Sequence, residues 1–187
     1  PLPEFPPVPG DLRREDFRLA PADVAGDTVR ANVVVLDNEY NTLTRLAQEP
    51  MSLRDGYAAL AEDDGLDLVA VIARDRSAQT VGLIKHAKLL RGAFATSLAH
   101  DSHNLLVIGR EVDAMLAAAR AVHEMGGGVA VAQGDEVLAT LPLPLFGLLS
   151  DAPVPEVARA LEQVEAAMRR LGVTHQRPFL TFSIMAL

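Results

Sequence analysis

Leu66 to Ala73 read LDLVAVIA, and three runs of the same character follow at short intervals: Thr80 to Lys85 (TVGLIK), Gly92 to Leu98 (GAFATSL) and Asn104 to Gly109 (NLLVIG). Each is short, nearly continuous in apolar residues and bounded by polar or glycine-containing stretches, the pattern of strands buried on both faces. Upstream, Val29 to Leu36 (VRANVVVL) repeats it and stops at Asp37-Asn38. A sheet of at least five strands is the expected framework.

Downstream the period changes from two to 3.6. Val112, Met115, Leu116, Ala119 and Val122 recur at helical spacing, with Glu111 and Asp113 at the positive end of the dipole and Gly126 placed to end the helix. A second helix is expected from about Pro155 to Leu171, with Val157, Leu161, Val164, Met168 and Leu171 on one face and Gly172 as its stop. Between the helices, Val129 to Ala132 and Val137 to Leu141 read as a hairpin turning at Gln133 to Glu136, and Pro142 and Pro144 bar it from a central place.

The ends are less regular. Residues 1–10 carry five prolines, which favours an extended linker or strapped-on arm. A helix is expected around Leu53 to Glu62, closed by a turn at Asp63-Asp64-Gly65, and Phe179 to Leu187 (FLTFSIMAL) as a last strand buried on both faces. The expected fold is α/β or α+β: one domain, residues 29–187, with helices on a mixed sheet, preceded by a Pro-rich arm or linker over residues 1–28.

Composition removes several functions. With 187 residues, 17 Lys+Arg against 25 Asp+Glu and a net charge of −8, the chain lacks the basic surface that nucleic-acid binding requires. The absence of cysteine excludes disulfides, thiolate zinc sites and cysteine nucleophiles, so any metal must rest on His, Asp or Glu. No apolar run approaches a membrane span and no signal peptide is visible, so a cytoplasmic location is expected. The chain starts at Pro1 without an initiator Met, as after processing or trimming, or as a piece of something longer.

The densest polar cluster is Ala99-His100-Asp101-Ser102-His103-Asn104, between two apolar strands. Read functionally, His100 and His103 are nitrogen ligands and Asp101 an oxygen ligand or an imidazole's orienting partner; one metal could use both imidazoles only if the loop curls. Read structurally, Asp101, Ser102 and Asn104 satisfy the backbone of a tight turn. Gly126-Gly127-Gly128 follows a helix and leads into a strand, so it reads as a helix stop and not a phosphate cradle. Leu141 to Ser150 (LPLPLFGLLS) is a proline-stiffened apolar connection that covers a sheet end, packs on a partner or walls a pocket. Arg74, Arg76, Lys85, His86, Lys88 and Arg91 form a basic interval expected to be a solvated face, with a local anion or partner site as the alternative.

RGAFATSLAHDSHNLLVIG (91–109), EMGGGVAVAQGDEVLATLPLPLFGLLSD (124–151) and PFLTFSIMAL (178–187) together resemble the C-terminal domain of bacterial adenine deaminases of the amidohydrolase superfamily. The resemblance implies a role in purine salvage, converting adenine and water to hypoxanthine and ammonia. It also implies a divalent metal (Mn, Fe or Zn) held mostly by a (β/α) barrel N-terminal to this domain. The present chain has no His-x-His and no room for such a barrel, so alone it should be inactive.

On this resemblance His100, Asp101 and His103 become candidate metal or nucleobase contacts, and Ser102 and Asn104 hydrogen-bonding groups toward substrate or a neighbouring domain. The implied partners are adenine or another nucleobase, a barrel domain, or further copies in an oligomer. The chain departs from the family at Val81 to Leu90, where glycines expected around residues 86 or 87 are missing. Two other readings stand beside it: a free-standing binding or assembly module, and a small metal-dependent hydrolase centred on AHDSHN.

Overall fold

A computed structural model describes residues 6–21, 26–36 and 43–185. Its nine strands are β1 (Thr28–Leu36), β2 (Thr44–Arg54), β3 (Tyr57–Ala59), β4 (Leu66–Ile72), β5 (Gln79–Lys85), β6 (Ala93–Thr96), β7 (Leu105–Gly109), β8 (Gly128–Gln133) and β9 (Glu136–Pro142). They form one open sheet in the order β3-β2-β1-β5-β4-β7-β6-β8-β9. The β1–β5 pair is parallel and the others antiparallel. The helices are α1 (Val112–Glu124), α2 (Val154–Arg170) and α3 (Pro178–Ser183). A mixed sheet carrying helices is therefore the fold, without a barrel, and no described helix is long and apolar enough to cross a membrane.

The alternation of side chains makes two cores. Leu66, Leu68, Ala70, Ile72, Ala93, Ala95, Ala130 and Ala132 share one core, in which α1 brings Ala114, Met115, Ala118 and Val122 over the β6–β8 part of the face and residues 14–17 lie against β4. Small residues on both surfaces let helix and sheet approach closely. A Cβ added at Gly109 would stand 2.6 Å from Met115 Cγ. On the other face Phe94, Leu106, Ile108, Val129 and Val131 share a core with Val164 and Met168 of α2, Leu171 just after it and Phe182 of α3. Phe182 stands edge-on to Phe94, ring centres 5.4 Å apart.

Both helices stop as their glycines require. Gly126 (φ +75°) donates to His123 and Gly127 to Val122; Gly172 (φ +106°) donates to Arg169 and Val173 to Met168. These are the paired bonds of the Schellman motif. The hairpin of β8 and β9 turns at Gly134-Asp135, and β9, ending in Pro142, is an edge strand.

Residues 6–21 lie along the domain. Val8, Leu12 and Phe17 are buried in the α1-side core, His123 Nδ1 lies 2.8 Å from the Val8 carbonyl, and Arg14 pairs with Asp113 at 2.9 Å.

Three expectations are corrected. The segment expected as a helix over Leu53 to Glu62 is instead the end of β2, a two-residue turn and β3, with Arg54 paired to Tyr57. Asp55 (φ +53°) and Gly56 (φ +80°) both take the left-handed conformation that such a turn needs. The tail expected as a strand forms helix α3, with Pro178 in its first turn and Phe182 buried on a sheet face. Residues 186–187 lie outside the described residues. Within the basic interval, Arg74 is 8% exposed and does not belong to a solvated face.

Candidate functional site

The AHDSHN segment joins β6 to β7 in a tight curl. The His103 amide donates to the Ala99 carbonyl at 2.9 Å and the Ser102 amide to the His100 carbonyl at 2.8 Å. Ser102 Oγ accepts from the Asn104 amide at 3.4 Å. Asp101 (φ +61°) and His103 (φ +51°) are left-handed, a conformation unfavourable for residues with a Cβ. The His100 amide donates to the Ser183 carbonyl at 2.9 Å, tying the loop to the end of α3.

The side chains divide. His100 and Asp101 are exposed and bonded to each other, Nδ1 to Oδ1 at 2.9 Å. His103 is half-buried, and its Nδ1 is enclosed without a hydrogen-bond partner. Ser102 is exposed and Asn104 half-buried. The curl thus happens, but His100, Asp101 and His103 do not converge. Among the described residues no three His, Asp or Glu side chains stand close enough to hold a metal ion. The donor set does not fit a resident divalent metal, and no chemistry is assigned through one here.

What holds the loop is Arg74, at the end of β4. Its Nε donates to the His103 carbonyl at 2.5 Å, Nη1 to the Pro6 carbonyl at 3.2 Å and Nη2 to the Ser97 carbonyl at 3.5 Å. One guanidinium therefore joins the arm, the end of β6 and the AHDSHN loop. Ser97 extends the network: its Oγ accepts the Gly128 amide at 2.8 Å and donates to the Gly147 carbonyl at 2.7 Å. Glycine at 127 and 147 permits the contact, since a Cβ at Gly127 would lie 2.2 Å from Gly147 Cα. Arg74, Ser97 and Gly147 carried no local signal as a group, because they are 23 to 73 residues apart and meet only through the sheet order.

At the opposite end of the sheet, His86 (φ +70°) and Lys88 (φ +65°) occupy left-handed positions in the β5–β6 connection, where the expected glycines are absent. His86 Nδ1 lies 3.1 Å from the Leu36 carbonyl, and its own carbonyl meets His175 Nε2 at 2.9 Å. Nearby, Asp67 is fully buried. Burial pushes its carboxyl up to about 7, against the opposing pull of Arg110, whose Nη1 is 3.6 Å away, and of the Leu89 amide.

Comparison with known proteins gives the chain a family. The family model described as adenine deaminase C-terminal domain matches residues 41–187. Adenine deaminase 2 of Rhizobium meliloti is 42% identical over 174 residues, covering 91% of this chain and 28% of the relative. Adenine deaminase 2 of Shouchella clausii is 36% identical over 94% of this chain and 30% of its own length. That of Bacillus pumilus, an adenine deaminase, is 34% identical over 95% and 30%. The chain thus spans less than a third of the length of the curated relatives it matches. By the extent of the family match and the identity to these relatives, the chain belongs to the adenine deaminase C-terminal domain family.

Proposed function

We propose that this chain is the C-terminal portion of a metal-dependent adenine deaminase of purine salvage, acting in the cytoplasm. The reaction adds water at the amino-bearing ring carbon of adenine and expels ammonia, leaving hypoxanthine. The observation that carries the reading is the match of a C-terminal domain over residues 41–187, in relatives of which this chain covers only 28–30%. The metal that activates water in such a reaction would be held elsewhere in the enzyme than the AHDSHN loop, because among the described residues its donors do not converge.

The chain's own contribution is a braced polar loop. His100, Asp101 and Ser102 are its exposed groups, available to a nucleobase or to a neighbouring domain, with Ser102 and the half-buried Asn104 as hydrogen-bonding groups. Purified alone, the chain should release no ammonia from adenine above background. Replacing the matched stretch of the Rhizobium meliloti relative with this chain should give an active deaminase. Turnover by the isolated chain would overturn the division of labour, and an inactive but folded chimera would count against the deaminase role. In the chimera, His100→Ala and His103→Ala should raise KM or lower kcat; unchanged values of both would remove the loop from the site.

A further inference from the structure

The end of the sheet where β4, β6 and β9 finish and β7 and β8 begin gathers four non-glycine residues with positive φ: Arg76 in the β4–β5 turn that also carries Arg74, and Asp101, His103 and Phe146 in loops that meet at Arg74. Phe146 (φ +60°) is 44% exposed, and Leu145 and Leu149 beside it are 43% and 60% exposed. Large apolar side chains concentrated at the tip of one loop mark a contact surface more often than a solvated one.

This loop is stiff. Leu145 and Leu149 exchange backbone bonds at 3.0 and 3.1 Å, and Gly147 is pressed on Gly127 with its carbonyl held by Ser97. A left-handed backbone is strained for a bulky residue such as Phe146, and such strain collects where function maintains it. Nearly half of the Phe146 surface stays open, so much of its potential burial is not realised within this chain. The Arg74 network places the exposed polar pair His100 and Asp101 on the adjoining loop, giving the apolar centre and polar rim of a protein interface.

The occupant follows from length: more than two thirds of each relative lies outside the stretch this chain matches. Resting on the deaminase reading above, we propose that this end of the sheet is the docking surface for the remaining, catalytic portion of the enzyme, anchored by Phe146 and Leu149.

Backbone amide exchange of residues 143–150 and 97–104, compared between the isolated chain and the Rhizobium meliloti chimera, tests the assignment. Docking predicts exchange at least tenfold slower in the chimera. Phe146→Asn keeps a residue that tolerates left-handed backbone, so the isolated chain should retain its thermal midpoint while the chimera loses the added protection; Leu149→Ser should behave likewise. Equal exchange in both proteins overturns the proposal. So does an isolated chain that light scattering finds dimeric and Phe146→Asn makes monomeric, since a second copy would then own the surface. Protection without ammonia release would sink the deaminase role and leave the docking surface standing; ammonia release with unprotected loops would do the reverse.

Discussion

Arg74 and Asp67 are the two buried charged groups on which the chain's sequence is least informative and its physics most demanding. Arg74 donates to three carbonyls, one in the arm and two in the β6–β7 connection. Hydrogen bonds to a charged group are worth about 1.5–3 kcal/mol each and are not additive. Arg74→Ala should therefore lower the urea-unfolding free energy by about 3 kcal/mol, and Arg74→Lys by less, since an ammonium satisfies fewer of these carbonyls in a fixed geometry.

For Asp67 the test is pH. Its folded-state pKa of about 7 lies above the ordinary 3.8, so the native state keeps a proton that the unfolded chain releases. Its contribution to stability is full below about pH 4 and is lost as pH rises toward 7, then stays level. The interval amounts to about 4 kcal/mol at ~1.4 kcal/mol per pH unit. Asp67→Asn should remove that slope from the difference between variant and parent. Parallel stability curves for the two proteins between pH 4 and 8 would show that Asp67 ionises normally.

At the scale of elements, the three adjacent glycines after α1 have different duties, and substitution should separate them. Gly126 is left-handed with open space around it, so Gly126→Ala should cost about 1 kcal/mol. Gly127 (φ +126°) faces the Gly147 backbone, which cannot rotate away, so Gly127→Ala adds overpacking to strain and should cost about 3 kcal/mol or more by thermal or chemical denaturation. Equal costs would mean that the contact with Gly147 is not tight in solution. The helix stops were legible in the sequence because they depend on residues within one turn. So were the central strands, whose apolar runs are bounded by turn chemistry. The β2–β3 hairpin was missed although Asp55-Gly56 is itself a strong hairpin signal, because Leu53, Tyr57 and Leu60 mimic helical spacing around it. The tail FLTFSIMAL is apolar enough for either element; Pro178 just before it is a local helix-start signal, and the tertiary contact that selects the helix is Phe94 receiving Phe182.

Across the whole molecule, the compact polar motif was visible in the sequence but its use was not. Proximity along the chain put His100, Asp101 and His103 together as candidate ligands, whereas the fold pairs the first two and encloses the Nδ1 of the third. What the sequence hid is that the arm and the loop share one guanidinium, with Pro6 and His103 on different nitrogens of Arg74. Seating of the arm should therefore affect order in the AHDSHN loop. Val8 is 1% exposed, and its carbonyl faces His123 Nδ1 at 2.8 Å. Val8→Asp would place a carboxylate in the α1-side core with no partner, at a cost of several kcal/mol that lifting the arm avoids. Lifting the arm also withdraws the Pro6 carbonyl and leaves Arg74 more freedom. The expected result is a stability loss of about 2 kcal/mol with amide exchange at residues 99–104 accelerated severalfold, while exchange in β7 follows only the global change. Arg74→Lys should weaken that coupling, because one ammonium cannot span both carbonyls in the same geometry. Loop exchange unaltered by Val8→Asp would mean that the arm is a passive cover, and that Arg74, Ser183 and the loop's own turn bonds keep its order without the arm.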